Sequence, residues 1–312
     1  MKVVVTGGAG FIGANLCRRL LATPGVAEVV ALDDLSTGFA ANLDGVDARL
    51  VVGDLVDPGV LDDVLPRTAV VVHLGARPSV PRSLADPVAS HHVNATGTLQ
   101  VLEGVRRHDV GHIVVASSSS VYGQNPTLPK REDLTPMPLS PYAVSKLAAE
   151  SYALSHAECF GFGALALRFF NVFGPLQAAG HAYAAVVPAF VAAALAGEPA
   201  VVHGDGGQTR DFTYVGTVCD VLATAVQDRI VSPRPVNLAF GSRSSLLDVL
   251  ARLETILGQP IERSHTTTRP GDVRDSQADQ SALRALFPAV VPVDLDDGLR
   301  RTVEWFRTGA VT

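Results

Sequence analysis

The sequence predicts an α/β fold, a doubly wound parallel sheet with a smaller α/β cap drawn from the C-terminal part of the chain. Two observations carry this. Short apolar, β-branched runs recur with room for a helix between them, and that alternation weakens after about residue 170. Runs that are apolar throughout suit strands covered on both faces.

Taken in order, Val3–Thr6 is the first strand and leads into a glycine-rich turn. Phe11, Ile12, Leu16, Leu20 and Leu21 then fall at helical spacing, and Glu28–Leu32 follows, so the chain opens with a βαβ unit. Ala48–Val52, Val70–His73 and His112–Ala116 continue the sheet, with Ala164–Phe169 and Val236–Ala239 as later strands. The longest apolar stretch, Ala182–Gly197, is too short to cross a bilayer and is interrupted by Pro188; it reads as a buried helix. Loops rich in Gly, Asp and Arg at 203–214 and 268–279 belong to the cap, and Asn171–Pro175 and Ser232–Pro235 are the expected crossing points. The expected division is 1–170 for the nucleotide-binding domain, with a return around 210–240, and 171–209 plus 241–312 for the substrate-binding domain.

Composition removes several classes of function. With 47% apolar and 18% charged residues the chain is not a disordered one, and a net charge of −6 leaves no basic stripe for nucleic acid. Cys17, Cys159 and Cys219 are too few and scattered for a disulfide framework or a metal cage, so no metal is expected and the cytoplasm is the expected compartment. Met1-Lys2-Val3-Val4-Val5-Thr6-Gly7 reads as a strand entering a turn, not as an export signal, and no membrane association is expected.

Gly7, Gly10 and Gly13 form G-x-x-G-x-x-G between the first strand and the first helix. Residues without Cβ let backbone N–H groups approach a pyrophosphate at a helix N-terminus, as in the Rossmann dinucleotide fold. Asp33 ends the second strand, 20 residues past Gly13, where a carboxylate accepts from ribose hydroxyls and repels a 2′-phosphate; this favours NAD over NADP. Asp54, in Gly53-Asp54-Leu55, either bonds the adenine edge or caps a helix.

Tyr142 and Lys146 stand one turn apart on one helical face, with Ser140-Pro141 as the helix start. An adjacent ammonium is expected to favour the phenolate by roughly 1–3 units. A tyrosinate so formed takes the proton of a sugar hydroxyl while hydride goes to nicotinamide. A hydroxyl from Ser117-Ser118-Ser119-Ser120, at the end of a strand, is placed to share that hydrogen bond.

Together these motifs resemble the extended short-chain dehydrogenases/reductases of the nucleotide-sugar epimerase/dehydratase group, over essentially the whole chain. Thr6-Gly7-Gly8-Ala9-Gly10-Phe11-Ile12-Gly13, Ser-x-x-Val-Tyr-Gly from Ser118, Tyr142-x-x-x-Lys146, Arg168-Phe169-Phe170-Asn171 and Arg210-Asp211-Phe212 carry the likeness. The resemblance implies Ser118, Tyr142 and Lys146 as the catalytic triad, with Asn94 in support. It implies a NAD site formed by Gly7, Gly10, Phe11, Ile12, Gly13, Asp33, Asp34, Asp54, Leu55, Asn94, Tyr142 and Lys146. Similar dehydratases carry Asp-Glu before Val-Tyr-Gly, the acid and base of elimination. Ser119 and Ser120 stand there instead, which favours epimerisation: hydride leaves C4, the ketose turns over, and hydride returns to its other face.

For the substrate, Asn171, Arg210 and Arg269 are expected on a UDP diphosphate and Asp272 on its ribose, with an Arg210–Asp211 salt bridge as the structural alternative. Ser79-Val80-Pro81-Arg82-Ser83, the 182–188 stretch and the 269–279 stretch resemble UDP-N-acetylglucosamine 4-epimerases, although Arg77-Pro78 departs from that pattern. That likeness implies substrate contacts from Ser79, Arg82, Ser83, Ser118, Ser119, Tyr142, Val187 and Ser276. Ser276 replaces a tyrosine of glucose/galactose-restricted relatives and leaves room for an N-acetyl group; a surface loop serine is the alternative. The expected partners are a UDP-sugar and, as the resemblance implies, a second copy of the chain. By that resemblance helices around Asn94–Arg107 and Tyr142–Phe160 would meet across a two-fold axis as a four-helix bundle; Leu99, Val101, Leu102, Ala148, Ala149 and Tyr152 offer apolar faces, which equally suit an intramolecular core. Other readings are a UDP-glucuronate 4-epimerase, another NAD-dependent epimerase/dehydratase, and a nucleotide-sensing binding protein.

Overall fold

A computed structural model describes residues 1–180, 184–268 and 273–309. In chain order its first half comprises β1 (Lys2–Thr6), α1 (Phe11–Leu21), β2 (Glu28–Asp33), β3 (Arg49–Val52), α2 (Pro58–Val64), β4 (Thr68–His73), α3 (Val80–Ala85), α4 (Pro87–His91), α5 (Gly97–Arg107), β5 (His112–Ser118), α6 (Pro141–Phe160) and β6 (Gly163–Phe169). The second half comprises β7 (Asn171–Phe173), α7 (Val186–Ala196), β8 (Ala200–His203), β9 (Thr209–Arg210), β10 (Phe212–Tyr214), α8 (Val215–Gln227), β11 (Val236–Leu238), β12 (Ser244–Ser245), α9 (Leu246–Leu257), β13 (Arg263–Thr266), α10 (Ser281–Leu286) and α11 (Leu295–Arg307).

Seven strands form one parallel sheet in the order β11-β6-β5-β4-β1-β2-β3. Val4 of β1 pairs with Val30 of β2 on one side and Val71 of β4 on the other. The order reverses between β1 and β4, and in such sheets that crevice is where ligands sit. Both faces are covered. Val3, Val5, Ala31, Val72 and Val114 pack with residues of α1 and α8, whereas Val4, Val30, Val71 and Ile113 pack with residues of α2 and α5. This double covering is why the strands are apolar throughout.

After β6 the chain builds three small two-stranded sheets, β7 with β10, β9 with β12 and β8 with β13, and returns to the main sheet only as β11. One expectation is corrected: in α7 (Val186–Ala196) Pro188 lies in the first turn and does not interrupt the helix. N–H groups there have no helical partner, and proline breaks nothing. Val101, Leu102 and Ala149 are wholly buried in this chain's own core, which leaves them no part in a contact between copies.

Candidate active site

The glycine turn fills the crevice between β1 and β4. Gly7 has φ +67°, and a Cβ on it would lie 2.9 Å from the Gly75 backbone nitrogen. A Cβ on Gly13 would lie 2.0 Å from the Gly7 carbonyl oxygen. Gly10 is the N-cap of α1 and offers no side-chain acceptor, and Phe11 and Ile12 open the helix half-buried. A backbone packed this closely, with a helix N-terminus beside it, fits a dinucleotide pyrophosphate.

Asp33 is buried at the end of β2. Its Oδ2 accepts from Ala9 N and its Oδ1 from Leu35 N, both at 2.9 Å, so it holds the glycine turn. Burial pushes this carboxyl above its ordinary value, and the backbone donors oppose that shift. Asp34 is exposed and accepts from Ser36 N and Oγ. Asp54 accepts from Val56 N at 3.1 Å, whereas the cap of α2 is Asp57; the helix-cap alternative for Asp54 is therefore closed. Leu55 is buried, its side chain filling the space that a Cβ on Gly75 or Gly97 would need.

Four side chains lock this crevice to the next layer. Gly75 N donates to Thr6 Oγ1 at 3.0 Å, and Thr6 Oγ1 lies 2.7 Å from His73 Nδ1. His73 Nε2 lies 2.9 Å from Thr98 Oγ1, which donates to the Asn94 carbonyl at 2.6 Å. Since Thr98 spends its proton on that carbonyl, His73 carries its proton on Nε2 and accepts at Nδ1. Burial, then the nearby Lys146 charge, pushes His73 down to about 3, so the ring is neutral. Asn94 itself accepts from Arg77 N at 2.7 Å and donates to Ser145 Oγ at 3.0 Å. Sequence reading identified Asn94 but missed His73, Thr6 and Thr98; the histidine ending a buried strand was the available signal.

The proton-transfer groups stand where β5 meets α6. Ser140 caps α6, accepting from Ala143 N at 3.2 Å, and Pro141 opens it. Lys146 is buried and donates from Nζ to the Ala116 carbonyl at 2.8 Å; burial pushes it down to about 8. Ser118 Oγ accepts from Ser120 Oγ at 2.8 Å. Enclosure raises the Tyr142 phenol, and the nearby Ser118 hydroxyl only partly opposes that shift. The expected lowering of Tyr142 by Lys146 is thus not what the chain's own groups impose: loss of phenolate hydration is the larger effect. Ser119 is half-buried beside them.

The substrate candidates are distributed unevenly. Ser79 has φ +96° and its Oγ lies 3.5 Å from Arg82 N at the start of α3; Arg82 is half-buried. Ser83 is fully buried, its hydroxyl donating to the Val80 carbonyl at 2.7 Å, which places it beneath α3 rather than on the cleft wall. Asn171 and Val187 line one small concavity with Gln177 and Phe212. Arg210 is buried and donates to the Thr209 and Arg274 carbonyls at 2.8 and 3.2 Å. The Asp211 carboxylate instead accepts from Gly241 N, Ser242 Oγ and Ala278 N, so the described contacts do not pair it with Arg210. Ser276 is buried and its N donates to the Thr209 carbonyl, which excludes the surface-loop alternative. Arg269 and Asp272 lie outside the described residues.

A doubly wound sheet with a glycine-turn dinucleotide crevice and a Ser-Tyr-Lys cluster at its edge defines an NAD-using oxidoreductive enzyme class. The chain belongs to the NAD dependent epimerase/dehydratase family, whose model matches residues 3–239. It is 36% identical to a UDP-glucose 4-epimerase of Mycolicibacterium smegmatis over 98% of this chain and 99% of that one. Its structure is similar to that of a UDP-N-acetylglucosamine 4-epimerase from Methanobrevibacter ruminantium in complex with UDP-N-acetylmuramic acid (TM-score 0.92, 34% identity, 99% of this chain and 98% of the other). It is also similar to that of a UDP-glucuronic acid 4-epimerase from Bacillus cereus in complex with UDP-glucuronic acid and NAD (TM-score 0.89, 30% identity, 99% of each chain). The chain is an NAD-dependent nucleotide-sugar epimerase, an isomerase. Among the described residues no acid/histidine/cysteine cluster suits a metal, and no helix is long and apolar enough to cross a membrane.

Proposed function

We propose that the protein is a UDP-hexose 4-epimerase that interconverts UDP-GlcNAc and UDP-GalNAc, and UDP-Glc and UDP-Gal beside them. The observation that carries this reading is the side-chain chemistry around Tyr142. Ser119 and Ser120 stand at the two places where elimination would require a carboxyl acid and base, and Ser120 Oγ donates to Ser118 Oγ at 2.8 Å. Relatives named for UDP-glucose, UDP-N-acetylglucosamine and UDP-glucuronic acid support the reaction, and the small residue at 276 supports the N-acetylated sugar.

In this reading Gly7, Gly10, Gly13 and Asp33 hold NAD, with Phe11, Ile12, Asp34, Asp54, Leu55 and Asn94 beside them. When bound there, NAD would supply the hydride acceptor and donor that oxidation and reduction of the sugar carbon require. With NAD bound, its positive nicotinamide ring and the Lys146 ammonium would together favour the Tyr142 phenolate; in that form Tyr142 Oη receives the proton of the 4-hydroxyl, with the Ser118 hydroxyl beside it. Asn171, Arg210, Arg269 and Asp272 grip the UDP portion while the ketose turns. Ser79, Arg82, Ser119, Val187 and Ser276 border the sugar.

A homodimer is part of the proposal. Val144 and Tyr152 on α6, with Leu84 and Val88 on the preceding short helices, present large apolar side chains to solvent. Light scattering at micromolar concentration should give twice the chain mass. A cytoplasmic location is supported by three free thiols, one of them exposed.

The test is proton NMR of the purified protein with UDP-GlcNAc, UDP-glucose and UDP-glucuronate separately, with no NAD added. A UDP-GalNAc anomeric signal is expected. Conversion of UDP-glucuronate alone would overturn the substrate assignment, and conversion of none would overturn the reaction.

A further inference from the structure

Arg168 and Glu150 form a bidentate ion pair, Nε to Oε2 at 2.9 Å and Nη2 to Oε1 at 2.7 Å, with both side chains almost wholly enclosed. A buried pair of this kind gives stability no better, as a rule, than well-packed apolar side chains would. Its partners point to another role. Glu150 Oε2 also accepts from Ser117 Oγ at 2.7 Å, next to Ser118. On α6, Glu150 is one turn beyond Lys146 and two beyond Tyr142, on the same face. Two successive residues of β5 therefore hold this helix, Ala116 by Lys146 and Ser117 by Glu150, directly before Ser118.

The opposite side of Arg168 leads into the cap. Its guanidinium carbon lies 4.7 Å from the centre of the Tyr122 ring, and Tyr122 Oη donates to Asn237 Oδ1 at 2.6 Å. Asn237 Nδ2 donates to the carbonyls of Lys130 and Asp279 at 2.8 and 3.2 Å. Lys130 in turn binds the same segment through its backbone, donating to Gln277 O at 2.7 Å and accepting from Asp279 N at 2.8 Å. The buried polar chain thus runs from the segment that carries Ser276 to the helix that carries Tyr142. Satisfied networks of this kind specify one arrangement of the elements they join.

We propose that Arg168, acting through Glu150, is a positioning residue of the reaction, setting α6 against β5 in register with the 276–279 segment. The inference rests on the reading of Tyr142 and Ser118 as the proton-transfer groups. A planar, five-donor guanidinium is required because one side chain must fork onto a carboxylate and lie flat against an aromatic ring at once, which the point charge of lysine cannot do.

The test compares the NAD-loaded wild type with Glu150→Leu/Arg168→Met, which removes both charges and strands neither. Each is measured for melting temperature, bound NAD, kcat and KM with the UDP-sugar the wild type converts, and the fluorine NMR spectrum of 3-fluorotyrosine placed at position 142 alone. The expected result is a melting temperature near wild type, NAD retained and a displaced fluorine resonance. With it, kcat should fall about 10- to 100-fold while KM moves less than about 3-fold. A wild-type kcat with an undisplaced resonance would overturn the proposal, because the pair would then be structural only. Should the double variant not fold, Arg168→Lys is read by the same measurements. If the wild type converts no UDP-sugar, the substrate assignment falls separately and the fluorine resonance alone decides the positioning role.

Discussion

Lys146 donates from Nζ to the carbonyl of Ala116 at 2.8 Å, which ties the lysine to β5 two residues before Ser118. The ammonium is therefore held by the same strand that delivers the serine to Tyr142. Burial brings its pKa to about 8, still leaving most of the group charged at neutral pH. Tyr142 is raised by its own enclosure, so the chain alone holds a protonated phenol.

Replacing Tyr142 by Phe removes the phenolic proton carrier near Ser118. Turnover should fall by about 10²- to 10⁴-fold with NAD still bound. Product NMR together with the absorbance of bound cofactor checks this. Undiminished turnover would remove Tyr142 from the mechanism.

Ser118→Ala and Ser120→Ala should differ in size. The first removes the hydroxyl that stands near Tyr142, whereas the second deletes only the 2.8 Å bond from Ser120 Oγ that orients Ser118. One neutral hydrogen bond is worth about 0.5–1.5 kcal/mol, so Ser120→Ala should lower kcat roughly 2- to 10-fold and Ser118→Ala by more. Initial rates of the two variants settle the order; equal losses would contradict the relay.

Gly13→Ala places a Cβ where only 2.0 Å separates it from the Gly7 carbonyl oxygen. Neither backbone can yield without opening the turn. The purified variant should carry no NAD and melt below the wild type. Normal cofactor content would show that the turn rearranges without loss.

Ser276→Tyr introduces a ring at a buried position held against Thr209. In the proposed reading, kcat/KM for UDP-GlcNAc should fall more than about 10-fold while UDP-glucose changes little, since a clash rejects only the sugar that needs the space. Parallel losses on both substrates would show that position 276 does not face the N-acetyl group.

Acid should destabilise the fold partly through His73. Its folded pKa, about 3, lies below the ordinary value of 6.5, so the unfolded chain binds more protons between these limits. Stability is full above about pH 6.5 and is lost as pH falls toward 3, by at most a few kcal/mol. Asp211 acts in the opposite sense: burial raises its carboxyl to about 6, so protonation favours the folded form as pH falls through that value. Urea midpoints of wild type and His73→Gln at pH 7 and pH 5 check the sign. The gap between them should narrow at pH 5, and a gap that widens would contradict a neutral His73.

The strands, the glycine turn and the Tyr142–Lys146 spacing were legible because each depends on short-range order. A strand covered on both faces must be apolar residue by residue, a turn without room for Cβ must be glycine, and side chains four apart must share a helical face. Glu150 was visible by the same rule, as a charge one turn past Lys146 on that face. Nothing local marked it as the partner of Ser117 and Arg168.

By itself, then, the sequence determined the sheet, the crevice and the residue types that do the chemistry. Tertiary structure decided which of those residues meet and how they are charged. His73 reaches Thr6 across 67 positions, Tyr122 reaches Asn237 across 115, and Asp211 reaches Ala278 across 67. It also reversed the expected direction at Tyr142 and turned Ser83 away from the cleft. Hydrogen-bond partnership and loss of hydration depend on what surrounds a group in three dimensions, and chain folding brings those surroundings from distant positions.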